Sequence, residues 1–235
     1  MTEPTPDPGQ LILIDKPYEW TSFDVVNKLR RACKFKKIGH AGTLDPLATG
    51  LLILCTGKMT KQIDSYQAQE KEYTGTLVLG KTTPSVDLET DFDAEFDVSA
   101  LTPEMVREAA VQLTGEIQQI PPIYSAVRVN GERLYERARR GETADQVEGG
   151  IKSRTVTVST FNVLTDAFPT IDFRIVCSKG TYIRSLVRDL GLLLNNGAYM
   201  SALRRTRIGD YHVKDAQSVD GFIEQFYPGG PSRLA

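Results

Sequence analysis

The apolar positions of this chain recur with the two periods of regular secondary structure. Alternating or continuous short apolar runs predict strands, and apolar residues three and four positions apart predict helices. Strands are predicted at residues 11–14, 51–55, 72–79, 154–164, 170–177 and about 199–212, and the pair Asn130-Gly131 predicts a tight hairpin turn. Helices are predicted from Ser22 as the capping residue, from Thr102-Pro103 to about residue 114, after Thr181, and at residues 218–226. Because strands predominate with helices between them, the predicted fold class is α+β, with a mixed, largely antiparallel central sheet.

Length and composition are typical of a globular protein. The 235 residues are 40% hydrophobic and 25% charged, which suits one sizeable domain, expected at residues 11–235. Residues 1–10 are polar, rich in proline and unlike a signal peptide, so a flexible tail is expected there. No apolar run approaches the roughly 20 residues of a membrane-spanning helix. The cysteines are widely spaced and form no metal-binding motif, which indicates reduced thiols in a cytoplasmic protein.

The formal net charge of −2 conceals segregated charges. Six basic residues and no acidic residue fall within residues 28–37, a second basic cluster lies at residues 128–140, and Arg204, Arg205 and Arg207 form a third. Six acidic residues fall within residues 87–97, a stretch expected to be a solvated loop on the far side. One basic run alone is usually a solvated face, but three clusters offset by an acidic block favour a polyanion-binding surface.

The strongest chemical signal lies in the segment from Gly39 to Gly50. It reads Gly-His-Ala-Gly-Thr-Leu-Asp-Pro-Leu-Ala-Thr-Gly and leads into a predicted buried strand. On its own, Asp45-Pro46 is typical of a helix cap. The density of glycines around His40 and Asp45, in a polar loop beside a rigid strand, instead favours a functional loop.

Together with further stretches, this segment resembles the signature of the TruB family of pseudouridine synthases. The stretches follow the order and spacing of the family from about residue 11 to residue 211. They are Lys16-Pro17 with Thr21-Ser22, Tyr73 within residues 71–75, residues 121–126 with 134–139, residues 178–186, and Leu203-Arg204-Arg205. Glu19 stands where family members usually have a glycine, which predicts a differently shaped loop after Lys16.

The resemblance implies that the uridine at position 55 in the T loop of tRNA is flipped out and isomerised to pseudouridine. It makes Asp45 the catalytic carboxylate, Arg184 its ion-pair partner, and Tyr73 the residue that stacks on the target base. The bond between the base and C1′ must break, and C5 must then bond to C1′. One ionised carboxylate can therefore act either as a nucleophile or as a base toward a glycal.

The resemblance also implies how the substrate is held. It assigns substrate-binding roles to His40, Lys16, Tyr182, Leu203 and Lys179. His40 is expected to fill the vacated stack, and Tyr182 to help seal the pocket around the base. The implied partner is the T stem-loop of tRNA, gripped by an insertion at about residues 121–152, with no membrane, no protein partner and a monomeric enzyme. The C-terminal RNA-binding PUA module of longer members is expected to be absent.

Neither a metal nor a cofactor is expected. His40 and His212 lie far apart without a ligand cluster, and no phosphate-cradling glycine motif is present. A glycosidase would need a second carboxylate, and none accompanies Asp45 in its loop. Two alternatives stay open: the catalytic subunit of a guide-RNA pseudouridylase, which would be expected to carry a PUA module, and a catalytically idle RNA-binding module of the same fold.

Overall fold

Most predicted strands and helices form close to their expected bounds, but the strand predicted at about residues 199–212 is broken at Gly209-Asp210 into two antiparallel strands. The computed structural model describes residues 9–226, so most of the expected N-terminal tail, residues 1–8, lies outside the described residues. The strands are β1 (Leu11–Lys16), β2 (Ile38–Ala41), β3 (Ala48–Thr56), β4 (Lys71–Leu79), β5 (Lys81–Thr82), β6 (Ala94–Glu95), β7 (Gly115–Gln119), β8 (Arg128–Val129), β9 (Glu132–Arg133), β10 (Arg154–Leu164), β11 (Thr170–Cys177), β12 (Ala198–Ile208) and β13 (Tyr211–His212). The helices are α1 (Ser22–Ala32), α2 (Ile63–Ala68), α3 (Pro103–Gln112), α4 (Leu134–Arg139), α5 (Ile183–Leu193) and α6 (Val219–Phe226). Largely antiparallel strands with helices between them confirm the α+β class.

The described residues divide into two compact units. Residues 9–73 and 204–226 form the first, which we call the signature unit because it contains residues 39–50. Thr74–Leu203 form the second, called the insertion unit because it contains residues 121–152. The expectation of one domain over residues 11–235 stays a prediction. Within residues 9–226, no helix combines the length and apolar character that crossing a bilayer requires.

The signature unit is built around β3, which is covered on both faces. β3 pairs antiparallel with β1 and with β2, and β12 is its other neighbour in the sheet. Leu52 and Leu54 pack on the side of α1 and α6, whereas Leu51 and Ile53 pack on the opposite side with Tyr66. Because both faces are buried, the strand is a continuous apolar run rather than an alternating one, as its sequence predicted.

The start of α1 differs from the prediction by one residue. Thr21, not Ser22, is the capping residue: its hydroxyl accepts from the Asp24 amide, and the Asp24 carboxylate accepts from the Thr21 amide. This reciprocal pair needs an acid three residues after the cap, which Asp24 supplies for Thr21. Ser22 is left free to point inward, where it is buried.

Glu19, in the loop that follows Lys16, has a strained backbone conformation. Its φ of 64° lies in the left-handed region, which glycine enters freely and other residues enter at a cost. The loop thus has the backbone geometry that suits the family's usual glycine. We expect Glu19→Gly to raise the free energy of unfolding by up to about 1 kcal/mol. Glu19→Ala keeps the Cβ and should give no such gain in the same denaturant titration; equal effects of the two substitutions would contradict the strain argument.

The insertion unit pairs β10 with β11 and with β7, both antiparallel. The predicted turn at Asn130-Gly131 is confirmed, because β8 and β9 pair across it. The sequence predicts hairpin arms at residues 125–129 and 132–135, but each strand has only two residues, and residues 134–135 begin α4. Leu134 and Ala138, four residues apart, both enter a small apolar cluster with Ile123 and Val147, and that burial favours a helix over a strand.

Candidate active site

Asp45 lies in a loop that is tethered on both sides. The loop joins β2 to β3, so no helix follows Asp45-Pro46 and the helix-cap interpretation is wrong. The loop is also shorter than predicted, because His40 belongs to β2 and its backbone is fixed by pairing with β3. The Asp45 side chain is half-buried. The backbone carbonyl oxygen of Asp45 accepts a hydrogen bond from the Ala48 amide at 3.1 Å.

Buried side chains hold both neighbours of Asp45. The Ser22 hydroxyl accepts from the Leu44 amide at 2.9 Å and donates to the Leu44 carbonyl at 3.3 Å. The Lys16 ammonium donates to the Pro46 carbonyl at 3.1 Å, and also to the carbonyls of Pro17 and Trp20. With the residues before and after it fixed, Asp45 has little freedom to move its Cα, which pre-organises its carboxylate.

Arg205 is a third anchor, and its position corrects the predicted third basic cluster. It is 1% exposed, with Nε donating to the Leu51 carbonyl at 2.8 Å and Nη2 to the Gly42 carbonyl at 3.1 Å. Gly50, at φ 103°, permits this approach, because a Cβ there would lie 2.3 Å from the Arg205 carbonyl oxygen. Arg205 is thus part of the support of the loop, not of a surface for polyanions.

The other two members of that cluster are occupied by acids. Arg204 is paired with Asp15 at 2.6 Å, and Arg207 with Glu70 at 2.7 Å. The expectation that residues 204–207 add free positive charge to a surface is therefore wrong. Sequence reasoning missed the role of Arg205 because three nearby arginines look alike until burial separates them.

Burial and nearby charge lower the pKa values of Lys16 and His40. Burial lowers the pKa of the Lys16 ammonium to about 8, while the negative charge of Asp45 acts in the opposite direction. At neutral pH the ammonium keeps its proton and all three donors. Burial, aided by the Arg205 charge, also lowers the pKa of His40, whose Nε2 lies 3.2 Å from the Thr43 hydroxyl. His40 is therefore neutral at pH 7, the form that suits the stacking role predicted for it.

We expect Arg205→Gln to raise the pKa of His40, though not fully, because burial is the larger cause of its lowering. Turnover should fall as well, since the Gly42 carbonyl loses its donor, at a cost of about 1–3 kcal/mol for an unsatisfied buried group. The chain has 2 histidines, so an NMR titration resolves His40 directly. Arg204→Gln, which removes a neighbouring but more exposed charge, is the matched control and should leave the His40 pKa in place. An unmoved pKa in Arg205→Gln would show that the guanidinium does not act on His40.

In the insertion unit, Arg184 is held by buried oxygen acceptors. It is 3% exposed, in the first turn of α5. Nη1 donates to the Ser85 carbonyl at 2.9 Å, and Nη2 to the Tyr124 carbonyl at 2.7 Å. Nε lies 3.6 Å from the Asp87 carboxylate. The pairing of Arg184 with Asp45 stays a prediction.

Asp87 corrects the view of residues 87–97 as a solvated loop on the far side. It is 3% exposed and carries the negative charge that faces Arg184, although it belongs to the acidic stretch. Val86, beside it, has a φ of 64°, a strained conformation for a β-branched residue. The chain bends here so that Ser85 and Asp87 both face the guanidinium. In the sequence, Asp87 cannot be distinguished from the five other acidic residues of this stretch.

The remaining predicted site residues have varied surroundings. Tyr182 precedes α5, and the side chain of Gln119 binds both its amide and its carbonyl, at 2.8 and 3.1 Å. The Arg154 guanidinium lies 5.2 Å from the centre of the Tyr182 ring. Tyr73 and Leu203 are buried, and Lys179 is exposed. Gln119 is a positioning residue that no sequence signal had indicated.

Comparison with known families identifies the family of this chain. The model described as "TruB family pseudouridylate synthase (N terminal domain)" matches residues 30–183, and the model described as "tRNA pseudouridylate synthase B C-terminal domain" matches residues 184–227. The chain belongs to the TruB family. The resemblance predicted from the motifs is thereby confirmed. The TruB model for the N-terminal domain includes the Asp45 loop, and its boundary with the C-terminal model falls between Ile183 and Arg184.

Individual TruB relatives agree with this assignment. The tRNA pseudouridine synthase B of Flavobacterium johnsoniae is 52% identical over 92% of this chain and 95% of its own. That of Phocaeicola vulgatus is 49% identical over 92% of each. A solved chain from a Cbf5-Nop10-Gar1 complex aligns with a TM-score of 0.70 and 29% identity over 94% of this chain. This chain spans only 56% of that one.

Proposed function

We propose that this TruB chain converts uridine to pseudouridine in tRNA, at position 55 of the T loop. Family membership and the two tRNA pseudouridine synthases that are about half identical over nearly the whole chain support the reaction and the substrate class. The observation that carries the site is the tethering of Leu44 and Pro46 by buried Ser22 and Lys16. It presents the one carboxylate between them, Asp45, at a fixed position.

The chemistry assigned to Asp45 follows from the reaction. Breaking the bond between N1 and C1′ leaves an electron-poor ribose, which a carboxylate stabilises either by bonding to C1′ or by taking a proton from C2′. The detached uracil turns and C5 bonds to C1′, which breaks the carboxylate–C1′ bond on the first route or is accompanied by return of the proton to C2′ on the second. The hydrogen on C5 is then released to solvent. Water is not a reactant, so one carboxylate suffices, whereas a glycosidase uses two.

The other site residues are proposed to hold the flipped nucleotide and its surroundings. Tyr73 stacks on the flipped target base. Neutral His40 fills the position that this base has vacated in the T loop of the RNA, because an unstacked base leaves a gap that an aromatic ring can fill. Tyr182 and Leu203 line the base, and Lys179, which is exposed, contacts RNA phosphate. Lys16 is proposed to act through Pro46, since its three donors are already bound to carbonyls. Arg184 is proposed to orient the catalytic carboxylate.

Release of tritium from a tRNA transcript labelled at C5 of uridine tests the reaction. The full chain, incubated with the transcript alone, should release label up to one equivalent per tRNA, from position 55. Release only after addition of a guide RNA would favour the guide-RNA pseudouridylase. Tight binding without release would favour the idle RNA-binding module. A monomeric state and a cytoplasmic location stay predictions.

A further inference from the structure

One of the three predicted basic clusters keeps its charge exposed. It consists of Lys28, Arg30, Arg31, Lys34, Lys36 and Lys37, which we call the basic ridge. All six side chains are exposed. Among residues 9–226, no carboxylate oxygen lies within 4.0 Å of a nitrogen of these side chains. Arg30 donates to the Ile38 carbonyl, a contact that leaves its charge unneutralised.

In the other two clusters most arginines are paired with acids or buried, although Arg128 and Arg133 are exposed and contact the Gly131 carbonyl and the Tyr135 hydroxyl. In the insertion unit, Arg137 pairs with Glu142, and Arg140 pairs with Glu132. Arg139 pairs with Glu89 at 3.3 Å. In the signature unit, the three arginines at 204–207 are paired or buried, as described above. A chain with a net charge of −2 therefore carries six uncompensated positive charges in ten consecutive residues.

The fold holds these charges in place. The apolar side of α1 is anchored in the core through Val25, Val26 and Leu29, so the helix cannot turn its basic side inward. Arg30 and Arg31 stabilise the last turn of α1 through the helix dipole, which explains two of the six cations without a ligand. Lys34, Lys36 and Lys37 come after the end of α1, where the helix dipole does not account for the presence of positive charge.

Only the short strand β2 separates the ridge from the Asp45 loop along the chain. Lys37 immediately precedes β2, and its carbonyl accepts from the Gly57 amide, which fixes the end of the ridge against the end of β3. His40 lies three residues along β2, roughly 10 Å at the rise of an extended strand. An extended polyanion bound on the ridge therefore comes close to the loop that carries Asp45.

We propose that the basic ridge binds the phosphate backbone of the RNA substrate beside the nucleotide that reacts. The inference rests on the proposed function and adds the surface through which the RNA is held. A lipid surface does not suit the ridge, because the apolar side of α1 is buried and leaves no apolar face to insert into a bilayer. A strand of RNA presents evenly spaced negative charges, and cations on a fixed helix and turn complement them.

The test replaces three ridge residues in the full chain by Lys28→Gln, Arg31→Gln and Lys34→Gln. The matched control removes the same charge elsewhere by Lys61→Gln, Arg107→Gln and Lys214→Gln. Affinity for an unmodified tRNA transcript is measured over a salt series. Affinity falls as salt rises, and each lost phosphate contact makes the slope of log affinity against log salt shallower by about 0.7–0.9. The slope of the ridge variant should therefore be smaller in magnitude by about 2–3. The affinity of the ridge variant at moderate salt should fall at least tenfold, while its turnover at saturating tRNA should equal that of the parent chain. The control variant should match the parent chain in slope, affinity and turnover.

The outcomes separate this inference from the proposed function. A ridge variant whose slope, affinity and KM equal those of the parent chain overturns the ridge proposal, even when the parent releases tritium. A parent chain that binds tRNA through the ridge but releases no tritium overturns the proposed reaction and leaves the ridge as an RNA-binding surface. A ridge variant that loses affinity for polyglutamate but not for tRNA assigns the ridge to an acidic protein and also overturns the proposal.

Discussion

Asp45→Asn is expected to lower the rate of tritium release by at least about a thousandfold, or roughly 4 kcal/mol in the barrier. Asparagine has nearly the same shape but no charge, so it can neither bond to C1′ nor accept the proton from C2′. The loop should keep its position, because Ser22 and Lys16 hold the neighbouring backbone rather than the Asp45 side chain. Affinity for tRNA should therefore change less than about threefold, a difference below 0.7 kcal/mol.

Asp64→Asn is the matched control for this result. Asp64 is an exposed carboxylate in α2 of the same unit, and its replacement should leave turnover and affinity unchanged. Single-turnover rates, tRNA affinities and thermal unfolding are measured for both variants. Turnover of Asp45→Asn within about tenfold of the parent chain, a loss of only 1.4 kcal/mol, would mean that Asp45 is not the catalytic carboxylate.

Arg184→Lys is expected to lower turnover by about a hundredfold or more, roughly 2.7 kcal/mol, although it conserves charge. The guanidinium faces Ser85, Tyr124 and Asp87 in three different directions, at 2.9, 2.7 and 3.6 Å. An ammonium is a point charge that cannot reproduce this planar arrangement, so the carboxylate and carbonyls around it lose their order. Because Arg184 is buried, affinity for tRNA should change less than about threefold.

The same helix offers the control. Arg188→Lys lies one turn further along α5, where Arg188 is partly exposed and contacts Asp189 and the Ile120 carbonyl. It should keep turnover within about threefold. Thermal unfolding of both variants separates an effect on catalysis from a general loss of stability. Equal turnover of Arg184→Lys and the parent chain would remove Arg184 from the catalytic site.

Local signals determined most of the elements. The apolar run at residues 51–55 predicted a buried strand because both faces of β3 are covered, and Thr102-Pro103 predicted the start of α3 through its cap. Errors arose where several residues compete for one local role. Ser22 and Thr21 are both good caps, and the choice depends on which one has an acid three residues later.

The candidate site was predictable as a set of motifs but not as a geometry. Asp45, Arg184, Tyr73 and the other predicted residues were named from motif order, which the family matches support as a whole without testing each residue. Arg205, Asp87 and Gln119 carried no separate signal. Each is one of several similar residues in its stretch of sequence, and only burial distinguishes it from the solvated ones.

The sequence by itself determined the α+β class, the hairpin turn, the family and the loop that carries Asp45, because propensity, periodicity and motif order are local properties of the chain. Tertiary structure decided which charges are free. Arg204 and Arg207 pair with acids that are distant in sequence, and Arg137 pairs with Glu142 five residues away. Within residues 9–226, no carboxylate oxygen lies within 4.0 Å of a side-chain nitrogen of the basic ridge. Coulomb interactions depend on distance in space and on burial rather than on sequence spacing. Three basic clusters that look equivalent in the sequence thus become a largely paired cluster, a buried anchor with paired neighbours, and one exposed ridge.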